Sequence, residues 1–272
     1  MKNILTIDVE EWYHGNYKSL ESGLTYKESR VESNTDYILE KLSQYNANAT
    51  FFILGEVAEK YPSLVRKIHS LGHEIGSHGY LHNLVYRYTK EEFIEDVKKS
   101  KLILEDILGT SIIGYRAPSW SVNEDIPWFY DSLENLGFLY SSSVFPRKTY
   151  LYGMDNTPRF SYKPNLNLSI LEIPCTTAKV FFQKIPFSGG FYFRVLPYFL
   201  IKILHNLVNN EKKPALFYLH PREIDPYQPK LPLSSTFESF IHHYGINSCN
   251  KKFIKLLNTC SLTSIKDYFL DF

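Results

Sequence analysis

Short apolar runs alternate with amphipathic segments through the first half of the chain. A continuous apolar run is typical of a strand that is buried on both faces. Such a run predicts a strand over residues 49–54, and further strands are predicted over 4–8, 73–77, 111–115 and 138–142. Helical spacing of apolar residues between these strands predicts helices over 34–42, 89–108 and 124–136. Helical segments are also predicted between Gly55 and residue 71. Strand and helix therefore alternate, which favours parallel β/α units.

The pattern is less regular in the second half. Residues 145–186 are rich in proline, asparagine and aromatic residues, and they predict loops with one strand over 168–173. Ser188-Gly-Gly190 predicts a turn, and a helix over 196–209 and a strand over 215–219 follow it. Two helices, over 237–243 and 251–259, are predicted to close the chain. The sequence contains no internal repeat, low-complexity tract or linker, and we therefore expect a single domain.

Composition narrows the class of protein. The chain has 272 residues, of which 44% are hydrophobic, and a formal net charge of +1 that gives no reason to expect a nucleic-acid partner. The aromatic share of 16% fits an aromatic-rich core better than a sugar-binding cleft, although both remain open. The three cysteines are scattered and odd in number, which argues against a disulfide framework and a thiolate zinc site. Free thiols in a reducing compartment are expected.

The beginning of the chain shows no secretory pattern, since Met1-Lys2-Asn3 runs directly into the first predicted strand. The longest apolar segment, 195–208, is too short to span a bilayer and contains Lys202 and His205. We therefore expect a cytoplasmic protein without a transmembrane segment, in which peripheral contact with the inner membrane face is open.

Polar side chains collect at the ends of the predicted strands. Asp8 and Glu10 end the first strand, His78 follows the third, Arg116 follows the fourth and His220 the last. In β/α barrels the carboxyl ends of the strands form one face that carries the active site, so these side chains are expected to converge. Asp8 and Glu10 are two residues apart and would point the same way on an extended strand.

A histidine-rich stretch, 73–82, follows the third predicted strand. His78 and His82 are four residues apart, and neutral imidazole is the commonest metal ligand. We expect this pair to hold a divalent metal ion, with His73 in a structural role.

Four segments, in this order, resemble the motifs of the polysaccharide deacetylase superfamily, the NodB-homology carbohydrate esterases. They are Thr6-Ile-Asp8-Val-Glu10, Ser77-His78-Gly-Tyr-Leu-His82, Arg116-Ala-Pro118 and Leu219-His220. Three further segments resemble a subgroup of the superfamily with a distinctive C-terminal extension. They are Ser188-Gly-Gly-Phe-Tyr-Phe-Arg194, His220-Pro-Arg-Glu-Ile-Asp225 and His243-Tyr244-Gly245.

The resemblance implies an α/β fold, a distorted (β/α)7 barrel forming a single deacetylase domain over 1–272. The barrel core would cover about 1–222, and a helical extension about 223–272. The implied activity is metal-dependent hydrolysis of an N-acetyl or N-formyl group on a sugar. One divalent ion is implied, with zinc expected first and cobalt, nickel or manganese as alternatives.

The resemblance also implies a role for each matched residue. His78, His82 and Glu10 would ligate the metal, and Asp8 would be the general base. Arg116 would orient that base, and His220 would be the general acid. Three further residues would line the substrate site: Tyr80, Pro118 and Trp120.

Two departures from the family pattern leave questions open. Val9 stands where the family usually has a second adjacent acid, so Glu10 or its rival Glu11 would complete the metal site. In the family, a carboxylate normally pairs with the histidine that acts as the general acid. Tyr140-Ser-Ser142 stands at the corresponding place in this chain. That partner would be missing in this chain, or would come from Glu223 or Asp225.

A cytoplasmic enzyme of this kind would meet precursors, and we expect a nucleotide-linked or lipid-linked sugar of surface polysaccharide or glycolipid biosynthesis. Two alternatives remain: a cyclic amide or ureide hydrolase of the same superfamily, and a catalytically decayed barrel that only binds carbohydrate. The sequence leaves the oligomeric state open.

Overall fold

The computed structural model describes residues 1–20, 28–149 and 152–270. The strands are β1 (Lys2–Val9), β2 (Thr50–Ile53), β3 (Glu74–Ser77), β4 (Gly114–Tyr115), β5 (Tyr140–Ser141), β6 (Leu171–Glu172), β7 (Thr177–Val180), β8 (Gln183–Pro186), β9 (Leu216–Leu219) and β10 (Ser261–Thr263). The helices are α1 (Val31–Gln44), α2 (Gly55–Lys60), α3 (Pro62–Ser70), α4 (Lys90–Leu108), α5 (Phe129–Asn135), α6 (Gly190–Val195), α7 (Tyr198–Asn210), α8 (Thr236–His243), α9 (Ile246–Thr259) and α10 (Ile265–Phe269).

The chain forms two compact units, and the first comprises Met1–Ala49 with Phe187–Phe272. In this unit β1 lies between β10 and β9, and both pairings are parallel. Residues 3–9 of β1 are all buried, as expected for a parallel strand that is covered on both faces. Ile7 of β1 pairs with Leu219 of β9, so the residues that follow these strands leave the sheet at the same edge.

The helices of the first unit differ from the predictions at three points. Helix α10, which follows β10, was not predicted, since the helix over 251–259 was expected to close the chain. Helix α9 begins at Ile246, several residues before the predicted start at residue 251, directly after Gly245 in the left-handed region with φ of 80°. Helix α6 follows Gly189, where the sequence predicted only a turn. Substitution of Gly245 would be strained, since a Cβ there would also lie 2.6 Å from the carbonyl oxygen of Arg194.

The second unit, Thr50–Pro186, contains the parallel strands β2 to β6 in chain order. Helix α4 begins at a capping box, in which the Thr89 hydroxyl accepts from the backbone N–H of Glu92 and the Glu92 carboxylate accepts from that of Thr89. The helix ends at Gly109, which has φ of 67°. The β/α alternation predicted for this part of the chain is therefore present.

Two predictions for the second unit need correction. Helix α5 begins at Phe129 rather than near 124, because Pro127 disfavours helical backbone at the preceding residue. The side chain of Asn123 also accepts from the backbone N–H of Asp125, which supports a turn there. In the region predicted as loops, strands β7 and β8 form an antiparallel hairpin.

The most apolar of the long helices is α7, over Tyr198–Asn210, at 13 residues. A membrane-spanning helix needs about 20 mainly apolar residues. Among the described residues, the structure has no helix with the length and apolar character that crossing a membrane requires.

Candidate active site and metal-binding histidines

In the first unit, the edge where β1 and β9 end holds two carboxylates and an imidazole. Asp8 and Glu10 are 2% and 6% exposed. The Nε2 atom of His220 lies 3.8 Å from Oδ2 of Asp8 and 3.8 Å from Oε1 of Glu10. The register of β1 with β9 explains the approach, because Ile7 and Leu219 are paired just before these residues. The structure thus brings together the predicted base, acid and metal carboxylate.

Glu223 is the partner of His220. A 3-10 turn over Pro221–Ile224 returns its carboxylate to His220, where Oε2 lies 3.0 Å from Nδ1 and accepts from the backbone N–H at 3.1 Å. A carboxylate only accepts, so Nδ1 carries the hydrogen and Nε2 is the nitrogen turned toward Asp8 and Glu10. Asp225, the other candidate partner, instead accepts from the side chains of Arg30 and Asn34.

The charges around His220 set its proton affinity. Burial lowers the pKa of His220, but the charges of Glu10, Glu223 and Asp8 outweigh it, so the pKa lies above its usual value. Burial by itself would raise the pKa of Glu223, but His220 and Arg194 hold the pKa of that carboxyl well below its ordinary value. A protonated imidazole held by an ionised carboxylate is the form that a general acid needs.

Arg194 anchors Glu223 from the other side. Its Nε donates to Oε1 of Glu223 at 2.7 Å, and both side chains are almost fully buried. The guanidinium also donates to the carbonyls of Ile241, at 2.7 Å, and of Tyr244. The three C-terminal segments noted in the sequence therefore meet around one buried ion pair, which explains why they occur together.

Glu11, the rival of Glu10, is engaged elsewhere in the first unit. Its carboxylate accepts from the hydroxyl of Ser29 and from the backbone N–H of Arg30 at 3.1 Å. Its backbone N–H donates to Nδ1 of His14. Glu11 thus anchors the segment that leads into α1, which favours Glu10 as the carboxylate at the strand end.

In the second unit, His78 and His82 follow β3, and their ring centroids lie 5.5 Å apart. His78 is 1% exposed, and its Nδ1 lies 2.8 Å from the carbonyl oxygen of Arg116. A carbonyl can only accept, so Nδ1 bears the hydrogen and Nε2 is the atom that would ligate a metal. The donor set therefore fits a divalent cation, since a second hydrogen bond of this kind is typical of metal-bound histidine.

Asp96 of α4 shapes the loop that carries the two histidines. Its carboxylate accepts from the backbone N–H groups of Tyr80, at 2.8 Å, and Leu81, at 3.1 Å. The Tyr80 hydroxyl donates to Glu59, and the Lys99 ammonium lies over its ring. Tyr80, predicted to line the substrate site, is thus held between α2 and α4 by these contacts.

Arg116 is buried and fixed by the serines that follow β5. Its Nε donates to the carbonyl of Ser142 at 3.0 Å, and Nη2 donates to the hydroxyl of the same residue at 2.9 Å. The guanidinium also lies 4.3 Å from the ring of Phe52 and 4.6 Å from that of Trp120. At the position where the family usually has an acid, this chain therefore has a serine that holds the arginine.

Pro118 and Trp120 lie in a buried 3-10 turn after Arg116. Ser119 and Trp120 have φ of 53° and 52°, in the left-handed region that is costly for side-chain-bearing residues. Such strain persists where the surroundings impose it, and it occurs often at functional sites. The role of Pro118 and Trp120 in lining the substrate site stays a prediction.

Sequence reasoning missed Glu172 of β6. It is fully buried, and its Oε1 accepts from the backbone N–H groups of Ser143 and Val144 at 2.8 Å each. Burial raises the pKa of Glu172, which these hydrogen bonds counteract. The available signal was an acid inside an otherwise apolar strand, Ile170-Leu-Glu172-Ile173.

Most of these residues fall within ranges of the chain that match known families. Residues 16–140 match the family described as "Polysaccharide deacetylase". This range includes His78, His82 and Arg116.

Residues 16–140 are a polysaccharide deacetylase domain.

Residues 142–270 match a domain of unknown function, DUF3473, and this range includes His220 and Glu223 of the candidate site. Asp8 and Glu10 precede both matched ranges. The predicted family is thereby confirmed, together with the presence of a distinct C-terminal segment.

Two curated relatives illustrate the similarity of the deacetylase domain. A peptidoglycan-N-acetylglucosamine deacetylase of Bacillus cereus is 35% identical over 113 residues, which cover 42% of this chain and 41% of the relative. A chitooligosaccharide deacetylase of Azorhizobium caulinodans is 33% identical over 101 residues, which cover 36% of this chain and 48% of the relative. The chain therefore spans less than half the length of these relatives.

The fold is shared over nearly the whole chain. The crystal structure of a candidate polysaccharide deacetylase from Mycobacterium smegmatis superposes with a TM-score of 0.59 at 19% identity, covering 98% of this chain and 90% of that one. This likeness confirms the predicted fold class, the α/β fold of the distorted (β/α)7 type.

Proposed function

We propose that the chain is a metal-dependent hydrolase that removes an N-acetyl or N-formyl group from a sugar. The observation that carries the proposal is the position of His220. Its Nε2 faces Asp8 and Glu10 at 3.8 Å each, while Glu223 holds its Nδ1. The named activities of the relatives, deacetylation of peptidoglycan and chitooligosaccharide sugars, support the same reaction class.

Glu10, His78 and His82 offer one carboxylate and two imidazoles, the ligand set of an open catalytic site. When bound there, a divalent ion polarises the amide carbonyl and lowers the pKa of water. We expect zinc, with cobalt, nickel or manganese as the alternatives to test. Glu11 is not proposed as a ligand because its carboxylate holds Ser29 and Arg30.

The protein side chains divide the proton transfers between them. Asp8 accepts the proton of the attacking water, and Arg116 has the role of orienting this base. His220 delivers a proton from Nε2 to the leaving sugar nitrogen, because an amine is expelled readily only when protonated. Glu223 keeps Nδ1 of His220 as the donor to the carboxylate, which fixes the orientation of the ring.

The substrate that we propose is a nucleotide-linked or lipid-linked precursor of a surface polysaccharide or glycolipid, met in the cytoplasm at the inner membrane face. The relatives act on N-acetylated amino sugars, so the sugar to test first is N-acetylglucosamine in free, oligomeric and diphosphate-linked form.

The test is release of acetate or formate by the purified chain after reconstitution with each metal. We expect release that a chelator abolishes and that Asp8→Asn reduces by a factor of about 10² or more. No release from any of these sugars with any metal would contradict the proposal. Release of product from a cyclic amide or ureide, indifferent to chelator, would instead favour the metal-independent alternative.

A further inference from the structure

A second group of polar side chains lies in the first unit beside the candidate acid: Tyr17, Arg222 and His242. The rings of Tyr17 and His242 are 5.5 Å apart and nearly perpendicular. Nη1 of Arg222 donates to the carbonyl oxygen of His242 at 3.3 Å. His242 is fully buried and Arg222 is 9% exposed. We call these three residues the Tyr17 cluster.

The Tyr17 cluster is held in place by Glu238. This residue lies one helical turn before His242 on α8 and is 1% exposed. Its carboxylate accepts from the backbone N–H groups of Lys18, at 3.2 Å, and Ser19, at 2.9 Å. The carbonyl of Ser19 in turn accepts from the backbone N–H of Ser234 at 3.1 Å. The segment that carries Tyr17 is therefore tied to α8, and these hydrogen bonds fix the backbone next to Tyr17.

The Tyr17 cluster has more hydrogen-bonding groups than the contacts among its own residues satisfy. Within the residues that the structure describes, Arg222 makes no ion pair, and its guanidinium makes only the bond to His242. In the same set of residues, neither ring nitrogen of His242 has a hydrogen-bond partner. A buried charge is costly unless an opposite charge compensates it. Arg194 meets this requirement through a direct ion pair with Glu223, whereas the charge of Arg222 acts on Glu223 without an ion pair among the described residues.

The protonation states suit hydrogen-bond donation. Burial raises the pKa of Tyr17, so the phenol keeps its proton at neutral pH. Burial also holds the pKa of His242 well below its ordinary value, so the neutral ring offers one N–H. Together with the guanidinium, the cluster presents donors of three kinds and one full positive charge.

Carboxylates also lie in this neighbourhood. The charges of Glu10 and Glu223 act on Tyr17, but Glu223 is neutralised by its bonds to Arg194 and His220. Glu10 is a proposed metal ligand, and a bound cation would offset its charge. Arg222 lies two residues after His220 on the same 3-10 turn, so a ligand group at the cluster would sit next to the candidate general acid.

We propose that Tyr17, Arg222 and His242 form a subsite for an oxyanion, a phosphate or a carboxylate carried by the sugar substrate. Guanidinium is the side chain best suited to such groups because its N–H donors match two oxygens at once. The proposal rests on the proposed function and narrows it to an N-acylated sugar that bears a negative charge. A phosphate would belong to a nucleotide-linked or lipid-linked precursor, and a carboxylate to an acidic sugar.

Direct binding tests the subsite without relying on activity. Inorganic diphosphate and acetate are titrated into the full chain by calorimetry, in parallel with Arg222→Gln, Arg222→Lys and Tyr17→Phe. We expect diphosphate or acetate to bind the natural chain, Arg222→Gln to weaken binding about tenfold or more, and Arg222→Lys to restore part of it. Arg66→Gln, which removes the same charge from an exposed position on α3, is the control and should not weaken binding.

Tyr17→Phe keeps the ring against His242 and removes only the hydroxyl, so it tests the site even if Arg222→Gln does not fold. Absence of anion binding to the natural chain, or equal binding by the natural chain and both Arg222→Gln and Tyr17→Phe, would overturn the subsite.

Turnover then separates this proposal from the proposed function. The ratio of kcat/KM for a diphosphate-linked or uronic N-acetylated sugar to that for the neutral sugar should fall about tenfold in Arg222→Gln. Whichever charged sugar shows the larger ratio identifies the oxyanion. Deacetylation without any preference for charge would overturn the subsite and leave the proposed function standing. Anion binding that depends on Arg222, without release of acyl groups from any sugar, would support the subsite and contradict the proposed function.

Discussion

Glu223 and His220 are joined by two hydrogen bonds that share one oxygen. Oε2 of Glu223 accepts from the backbone N–H of His220 at 3.1 Å and lies 3.0 Å from its Nδ1. Backbone and ring are thus fixed by the same atom, three residues along a short 3-10 turn. Of the two partners that the sequence offered for His220, Glu223 and Asp225, it is Glu223 that lies beside the ring, and this acid comes from the turn after β9 and not from the end of β5.

Replacing Glu223 by glutamine should therefore impair the proton transfer assigned to His220. The amide removes the charge and cannot serve both His220 and Arg194 in the same way, so we expect kcat to fall by a factor of about 10² with a smaller change in KM. Steady-state kinetics on an N-acetylated sugar measure both values. Asp225→Asn is the matched control, since that carboxylate holds Arg30 and Asn34 instead. A loss of kcat in Asp225→Asn but not in Glu223→Gln would refute the assignment.

The buried pair of Arg194 and Glu223 should be a large contributor to stability when only one member is removed. Arg194→Met leaves Glu223 without its guanidinium partner, with His220 remaining, and also leaves two carbonyls of the α8 end without their donor. We expect the free energy of unfolding to fall by about 3–5 kcal/mol, measured by urea denaturation. The double variant Arg194→Met with Glu223→Met should lose less than Arg194→Met alone. If the double variant is the less stable of the two, the unpaired charge is not the cause.

The sequence predicted the strand ends well because buried parallel strands leave a strong local signal. The positions of Asp8, His78, Arg116 and His220 followed from the ends of the predicted strands. The family and the fold class then rested on motif order, which is also readable from the chain.

What the sequence could not supply were contacts between distant segments. Nothing in the spacing of Arg194, Glu223 and Tyr244 shows that they share one hydrogen-bonded cluster, since residues 194 and 244 are 50 positions apart. The roles of Glu10 and Glu11 were undecided for a similar reason: the choice depends on Ser29 and Arg30, which hold Glu11. Periodicity describes which face a residue takes but not which partner it finds there.

The two adjacent acids offer a matched pair of substitutions. Glu10→Gln should weaken binding of zinc about tenfold or more while leaving the thermal unfolding of the metal-free chain little changed. Glu11→Gln should keep zinc binding and lower stability by about 1–2 kcal/mol, because it weakens the anchor of Ser29 and Arg30. Zinc titration against a competing chelator, with denaturation of the metal-free proteins, measures both effects. The reverse pattern would assign the metal to Glu11.

His73 should make the protein sensitive to mild acid. It is 5% exposed, it packs against Phe51, and its Nδ1 has no hydrogen-bond partner among the described residues. Burial lowers the pKa of His73 from 6.5 to about 4. The unfolded chain therefore binds this proton below pH 6.5 while the folded chain does not, so stability is lost as the pH falls from 6.5 to 4.

In His73→Phe the ring stays and the titration is removed. We expect the loss of unfolding free energy between pH 6.5 and 4 to shrink by about 2–3 kcal/mol, measured by urea denaturation at a series of pH values. His69→Asn, an exposed histidine on α3, is the control and should leave the slope as it is. An unchanged slope in His73→Phe would mean that the proton lost on folding belongs to other groups, of which buried His242 is the next to test, because its pKa is also lowered by burial.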